Sequence, residues 1–182
     1  MISSPLSLLL FSFFLLSIHA QTLIHNTCKI CSQHDPLVSY RFCTTSLQAA
    51  SGSHHADIRG LGLISIKLTR KNLTDTRSYI KKLLKNDTRK LDSYVKMRLE
   101  DCLELYSDSS TDIKHAMNNY KSKRYHEANI QISSVMEATT TCENGFKEKH
   151  EAVMLLTNRN NATFELSVIG LSIMRILQNS AN

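Results

Sequence analysis

Helix-breaking residues are scarce in this chain of 182 residues, which contains two prolines and five glycines. One of the prolines, Pro5, lies in an apolar stretch at the start of the chain, so Pro36 is the only proline in the remainder. Because proline and glycine are the residues that most often interrupt helices and form tight turns, their scarcity favours long helices over a β-fold with many turns.

The sequence also lacks the residue patterns of common enzymes. It contains no G-x-S-x-G elbow, no Walker loop and no dinucleotide-binding glycine pattern. His126 and His150 each precede a glutamate, as on a zincin helix, but Ile130 and Met154 occupy the positions of the second histidine. We therefore expect no catalytic residue, no bound metal and no cofactor.

The first twenty residues indicate export from the cell. An apolar run covers positions 6–18 and is followed by the small residue Ala20, as in a signal peptide cleaved after that residue. The alternative, a membrane anchor, is disfavoured because a spanning helix needs roughly 20 apolar residues. We predict a signal peptide over 1–20, a secreted protein, and no membrane segment after cleavage. Three sequons agree with this compartment and predict N-glycosylation at Asn72, Asn86 and Asn161.

The chain is basic, with 22 Lys and Arg residues against 16 Asp and Glu residues. Such a charge could attract nucleic acid, anionic lipid or acidic polysaccharide. Secretion makes nucleic acid the least suitable of these partners, and we do not expect it to be one. Because the basic residues are spread along the chain and mixed with acids, most of them are typical of solvated helix faces.

Five cysteines follow the apolar run, and an oxidising compartment predicts two disulfides and one remaining thiol. Cys28 and Cys43 flank Pro36, so a bond between them would close a hairpin. Cys102 and Cys142 fall on the inward stripes of two consecutive predicted helices, which leaves Cys31 unpaired. The alternative is a zinc or redox site at Cys28-x-x-Cys31, but no βαβ pattern surrounds it.

Apolar residues recur at steps of three and four along four segments, which predicts four long amphipathic helices. The first covers about 56–85, the second runs for about thirty-five residues from Thr88, and the others begin near Tyr125 and Ala162, the last capped by Asn161. Polar residues at 107–112 could break the second helix in two. Gly60 and Gly62 either weaken the first helix or let a neighbour approach closely.

The fold class is therefore an all-α, antiparallel up-and-down four-helix bundle with two disulfides. Residues 51–182 form the bundle, and residues 21–50, divided by Pro36, form an N-terminal helical hairpin of the same domain.

Six short motifs resemble the plant invertase/pectin methylesterase inhibitor domain, with the pollen-type members, described as invertase inhibitors, the most similar branch. These motifs are Thr27–Lys29, Tyr40–Leu47, Ala56–Gly62, Leu99–Tyr106, Tyr120–Tyr125 and Thr141–Phe146. The resemblance implies the disulfides Cys28–Cys43 and Cys102–Cys142, with Cys31 outside the family pattern. It also implies a secreted, apoplastic inhibitor that covers the active-site cleft of another enzyme in a 1:1 complex.

The resemblance allows two targets, of which we favour pectin methylesterase over acid invertase. Invertase inhibitors can carry a Pro-Lys-Phe segment between the second and third bundle helices. The matching residues here are Lys123, Arg124 and Tyr125, which we predict to contact the target although the proline is missing. The alternative interpretation of this segment is an ordinary basic helix connector. An alternative for the whole protein is a non-inhibitory bundle that binds pectin or another anionic surface through its charge.

Overall fold

The computed structural model describes residues 22–86, 91–148 and 155–180, and the predicted signal peptide lies outside these ranges. Within them the backbone forms six α-helices and a short 3-10 turn, with no strand. The helices are α1 (22–34), α2 (Tyr40–Ala49), α3 (Ile58–Asn86), α4 (Ser93–Lys121), α5 (Tyr125–Lys147) and α6 (Thr157–Asn179).

The helices α3 to α6 form a four-helix bundle in which each helix packs against two others. α3 packs against α4 and α6, and α5 packs against the same two helices, so α3 and α5 occupy diagonal corners. α3 and α4 run antiparallel, because Arg59 near the start of α3 contacts Lys121 at the end of α4. α4 and α5 do so as well, since Arg98 near the start of α4 contacts Glu148 just after α5. The predicted up-and-down bundle is confirmed.

The inward stripes predicted for the long helices form the core. The largest fully buried side chains include Tyr106, Tyr120 and Phe146, and Leu99 and Ile113 are also fully buried. Gly62 is the site of a close approach, since a Cβ atom placed there would overlap the hydroxyl oxygen of Tyr120. Of the two predicted roles, Gly62 therefore has the second, which is to let a neighbouring helix approach closely.

One alternative is decided and one predicted helix boundary is wrong. α4 is continuous through residues 107–112, where the hydroxyls of Ser107, Ser109 and Ser110 bond to carbonyls four residues earlier at 2.6–2.8 Å. α6 begins at Thr157, so Asn161 lies inside the helix rather than capping it. The carbonyl of Leu156 accepts the first hydrogen bonds of this helix, at 2.8 Å.

The N-terminal segment forms the predicted hairpin of α1 and α2, which packs against α3 and α6. Ser39 caps α2 by accepting a hydrogen bond from the Phe42 amide at 3.2 Å. The hairpin contributes Ile24, Val38 and Leu47 to a second apolar cluster.

Both expected disulfides are present. Cys28 and Cys43 have Cα atoms 5.7 Å apart and are separated by 15 residues, whereas the Cα atoms of Cys102 and Cys142 are 5.1 Å apart across 40 residues. In the chain-entropy model, loops of these lengths stabilise the fold by about 3 and about 4 kcal/mol.

Cys31 is the free cysteine and lies in the core with 1% of its surface exposed. Burial raises the pKa of its thiol to about 12, which suppresses the reactive thiolate. The zinc alternative drew on Cys28, Cys31, His34 and Cys43, and the disulfide takes two of these four. Among the described residues, no three His, Cys, Asp or Glu side chains are grouped to hold a metal, and no helix is long and apolar enough to cross a membrane.

Candidate functional site

The turn between α4 and α5 places the predicted contact segment at one end of the bundle. The amides of Lys123 and Arg124 bond to the carbonyls of Tyr120 and Asn119 at 3.0 and 2.9 Å, which is the hydrogen-bond pattern of a Schellman helix end. Lys123 occupies the left-handed position of this motif, with a φ of 60°. Glycine usually takes this position because it has no Cβ atom to clash with the backbone.

This backbone is incompatible with a proline at position 123. Proline holds φ near −65° and has no amide hydrogen, whereas Lys123 has a φ of 60° and donates its amide to Tyr120. A Pro-Lys-Phe segment could therefore not adopt the backbone that this chain has at positions 123–125. Hydrogen bonds, rather than a proline ring, hold its conformation.

Arg124 is exposed, but its guanidinium is fixed in place. Its Nε and Nη2 atoms donate to Oδ1 of Asn119 at 2.9 and 2.6 Å. Asn119 in turn donates from Nδ2 to Oε1 of Gln131 at 3.0 Å, which joins the turn to the first part of α5. Since guanidinium has five N–H donors, this arrangement leaves donors for a partner while restricting the side chain's motion.

Tyr125 is half-buried and contacts the ring of Tyr120 edge to face, with the ring centroids 5.4 Å apart. Tyr120 donates its hydroxyl to the Arg59 carbonyl at 2.8 Å, and burial raises its pKa. Tyr125 therefore supports the turn with one part of its ring and can contact a partner with the rest.

Two residues that local sequence patterns did not single out complete this end of the bundle. Arg59 reaches across from α3 and donates from Nη2 to the carbonyl of Lys121 at 2.7 Å. Exposed Ile130 lies one turn into α5, with 57% of its surface accessible. The signal for Arg59 in the sequence was its place in the motif 56–62. Its partner Lys121 lies 62 residues further along the chain, so no local pattern links the two.

The charges at this end are mainly positive. We call the surface formed by Arg59, Lys121, Lys123, Arg124 and Tyr125 the basic end. Cations at Lys121 and Lys123 are favoured there, because the carbonyls at the C-terminal end of α4 carry partial negative charge. A shallow cavity of about 310 Å³ opens beside Arg59, Leu63 and Tyr120. The basic end therefore carries four cations, with Asp57 beside the cavity.

A second polar surface runs along the outer groove between α4 and α5. The groove has a volume of about 330 Å³, and the Cys102–Cys142 disulfide forms part of its lining. Asp101, Glu104 and Asp108 line it together with Arg98, so three of its four charged residues are acidic. On α4 this groove ends at Asp108, thirteen residues or about 20 Å before Lys121 in the positive basic end. The two surfaces give the α4–α5 side of the bundle both signs of charge.

The sequons occupy different environments. Asn161 is exposed on α6, whereas Asn72 is half-buried and its Oδ1 accepts hydrogen bonds from Thr76 and Thr163 at 3.1 and 2.9 Å. Asn86 is the last residue of α3, and its side chain lies outside the described part of the chain. Glycosylation at all three remains a prediction.

A buried polar network links α4, α5 and α6. Tyr106 donates its hydroxyl to Oδ1 of Asn160 at 2.7 Å, and Asn160 donates from Nδ2 to Oε2 of Glu143 at 2.7 Å. Thr157 donates to the other carboxylate oxygen of Glu143 at 2.8 Å. Burial raises the pKa of Tyr106 to about 12, so this residue stays protonated and donates. Tyr106 and Glu143 belong to the motifs that carried the family resemblance, and here they hold the fold together.

Comparison with known proteins gives one consistent result. The family model described as "Plant invertase/pectin methylesterase inhibitor" matches residues 22–173. A Platanus acerifolia protein named "Putative invertase inhibitor" is 37% identical over 155 residues, which is 85% of each chain. The Arabidopsis thaliana protein "Pectinesterase inhibitor 12" is 34% identical over 173 residues, covering 94% of this chain and 97% of its own.

Solved structures agree at the level of the fold. A crystal structure of a pectin methylesterase inhibitor from Arabidopsis thaliana matches with a TM-score of 0.61 at 18% identity, over 84% of this chain and 95% of its own. A mutant form of an Arabidopsis pectin methylesterase inhibitor matches with a TM-score of 0.65 at 19% identity, over 75% of this chain and 89% of its own.

Proposed function

Because the chain belongs to the plant invertase/pectin methylesterase inhibitor family, we propose that it inhibits a plant pectin methylesterase by covering the active-site cleft. The family consists of enzyme inhibitors, and we assign this chain no catalytic role of its own. The structural observation that carries the proposal is the exposed, hydrogen-bonded turn at Lys123 and Arg124.

The basic end is suited to a cleft that contains carboxylates. Its cations would complement the aspartates of a pectin methylesterase, which favours association and correct orientation. Arg124 is already held by Asn119, so binding costs less side-chain entropy than it would for a freely rotating arginine. Ile130 provides an exposed apolar group near the turn that could be buried on contact.

The stoichiometry and the compartment are parts of the same proposal. One copy of the basic end per chain predicts a 1:1 complex. The apolar run at positions 6–18 and the two disulfides predict that the complex forms outside the cell, in the apoplast.

Acid invertase is the second candidate target. It is favoured by the Platanus acerifolia relative, whose name refers to invertase and which is 37% identical. It is disfavoured by Lys123, because the left-handed backbone at this position cannot carry the proline of the Pro-Lys-Phe segment. We therefore place pectin methylesterase first.

A parallel titration tests the proposal. Oxidised protein is added at mildly acidic pH to a plant pectin methylesterase and to a plant acid invertase, and residual activity is followed to stoichiometric excess. We expect the esterase activity to fall to near zero close to an equimolar ratio while the invertase stays active. Loss of invertase activity alone would assign the second target. Retention of both activities across several isoforms of each enzyme would overturn the proposal.

A further inference from the structure

The surface of α3 differs from that of the other bundle helices in its charge. The helix carries a single carboxylate, Asp75. Its basic residues are Arg59, Lys67, Arg70, Lys71, Arg77, Lys81, Lys82 and Lys85. By contrast, α4 mixes both signs and pairs Lys96 with Glu100 and Arg98 with Asp101.

Six of these cations form one exposed stripe, which we call the α3 stripe. At 3.6 residues per turn they fall within an arc of about 120°, and at 1.5 Å per residue they extend over about 27 Å. All six are exposed, and the buried residues of α3, such as Leu73 and Ile80, lie on the opposite side of the helix. The members of the stripe are Lys67, Arg70, Lys71, Lys81, Lys82 and Lys85.

The α3 stripe is poorly neutralised within the protein. Among the described residues, its one ion pair joins Lys71 to Asp75, at 2.6 Å. Lys67 and Lys71 are four residues apart, as are Lys81 and Lys85, and like charges at this spacing destabilise a helix. A row of unneutralised cations creates a positive potential along the helix that attracts an extended polyanion.

The α3 stripe and the basic end are separate surfaces. The stripe begins at Lys67, nine residues after the start of α3, and continues away from the turn that holds Lys123 and Arg124. α3 also lies diagonally opposite α5 in the bundle. A polyanion on the stripe would therefore leave the turn accessible to a target enzyme.

We propose that the α3 stripe binds a linear polyuronate, the acidic form of pectin that carries a free carboxylate on each sugar. Lysines act as mobile point charges and suit a flexible chain of carboxylates, while Arg70 can engage a carboxylate with two donors. The choice of polyuronate over other polyanions rests on the proposed function, because pectin is the substrate of the proposed target. The stripe thus keeps the inhibitor on the polymer where the target enzyme works.

Binding to defined oligomers tests this inference. Oxidised protein is titrated with oligogalacturonate and with the fully methyl-esterified oligomer of the same length, at 50 and 200 mM salt. We expect binding of the acidic oligomer only, weakening as salt rises. Absence of binding to the acidic oligomer at low salt would overturn the inference. Equal or tighter binding of a single-stranded DNA of matched charge would overturn the choice of polyuronate.

Two variants of equal charge locate the site. Lys67→Gln/Lys81→Gln/Lys85→Gln removes three cations from the stripe, and Lys29→Gln/Arg41→Gln/Lys114→Gln removes three exposed cations from other helices. We expect the stripe variant to bind at least tenfold more weakly. The plot of log affinity against log salt concentration should become less steep, with the magnitude of its slope decreasing by about 2. This value assumes that each of the three lost contacts contributes about 0.7, as in single-stranded nucleic acids. Equal weakening in both variants would show that net charge alone acts, and would overturn the site.

A further assay with the same stripe variant separates the two proposals. It measures inhibition of the pectin methylesterase acting on a highly methyl-esterified substrate. Unchanged inhibition together with lost oligogalacturonate binding would support both. Selective oligogalacturonate binding by a protein that inhibits neither enzyme would overturn the proposed function and leave the stripe in place. Inhibition without any oligogalacturonate binding would overturn the stripe alone.

Discussion

The exposed turn at Lys123 and the buried network around Asn160 both involve residues from the motifs that identify the family, but they use them differently. In the network, Tyr106, Asn160 and Glu143 satisfy one another's hydrogen bonds inside the protein. In the turn, backbone hydrogen bonds fix the chain while the side chains of Lys123 and Arg124 remain exposed. A family motif therefore stabilises the fold in one place and belongs to the proposed contact surface in the other.

This difference implies that changes in the two regions should have separable effects. A change in the network should lower stability and affect inhibition only through unfolding. A change in an exposed side chain of the turn that keeps the backbone preferences should weaken inhibition while stability stays almost constant.

The largest effect is expected from Asn160→Ala. The change leaves the Tyr106 hydroxyl and the Glu143 carboxylate each without one buried partner, so the free energy of unfolding should fall by about 3 kcal/mol. Urea unfolding measures this difference.

Asn144→Ala is the matched control, since Asn144 is exposed beside Glu143 on α5. It should change the free energy of unfolding by less than about 0.5 kcal/mol. If Asn160→Ala were as mild as this control, the network would not hold the fold as described.

A pair of substitutions at position 123 should have opposite effects of intermediate size. Lys123→Gly relieves the left-handed backbone and should stabilise the protein by about 0.5–1 kcal/mol. Lys123→Pro cannot adopt a φ of 60° and loses the bond to Tyr120, so it should destabilise by about 2–3 kcal/mol. Thermal and urea unfolding of the two variants check these values.

Inhibition assays on the same pair extend the comparison to function. Both variants should inhibit more weakly, because each removes the lysine side chain from the turn. A proline variant as stable as the wild type would contradict the turn geometry and would reopen the case for invertase.

The smallest effect is expected from Glu165→Gln, a change at a half-buried residue of α6 outside the network. Burial raises the pKa of the Glu165 carboxyl above 4.5, and its Oε2 has no hydrogen-bond partner among the described residues. The folded state therefore holds this proton more tightly than the unfolded state, and stability is lost as pH rises through the folded pKa. Relative to wild type, the variant should gain in melting temperature near pH 7, and the gain should disappear below about pH 4.5. A gain that does not depend on pH would contradict this cause.

Local sequence signals were sufficient for most of the fold. The scarcity of proline and glycine, the apolar spacing and Pro36 predicted the bundle and the hairpin, and the cysteines predicted both disulfides. The sequence left open whether residues 107–112 break the second helix. They do not, and the serine hydroxyls there bond to helix carbonyls.

The details of the candidate site were less accessible from sequence. The left-handed conformation of Lys123 has no local signal, since lysine stands where glycine would have indicated it. The contact between Arg59 and Lys121 spans 62 residues and depends on how α3 packs against α4. Sequence therefore located the segment, whereas the packing determined its geometry.

The most direct test of the central claim is the inhibition constant of Lys123→Glu beside that of Lys114→Glu. Both changes reverse one exposed charge, but only the first lies on the turn. We expect Lys123→Glu to inhibit about 30-fold more weakly, a loss of about 2 kcal/mol. Its melting temperature should fall only slightly, because an anion at the C-terminal end of α4 costs about 0.3–1 kcal/mol. Lys114→Glu should stay within about twofold of wild type, as expected for a charge outside the contact. Equal inhibition by both variants and the wild type would show that the target contacts another surface.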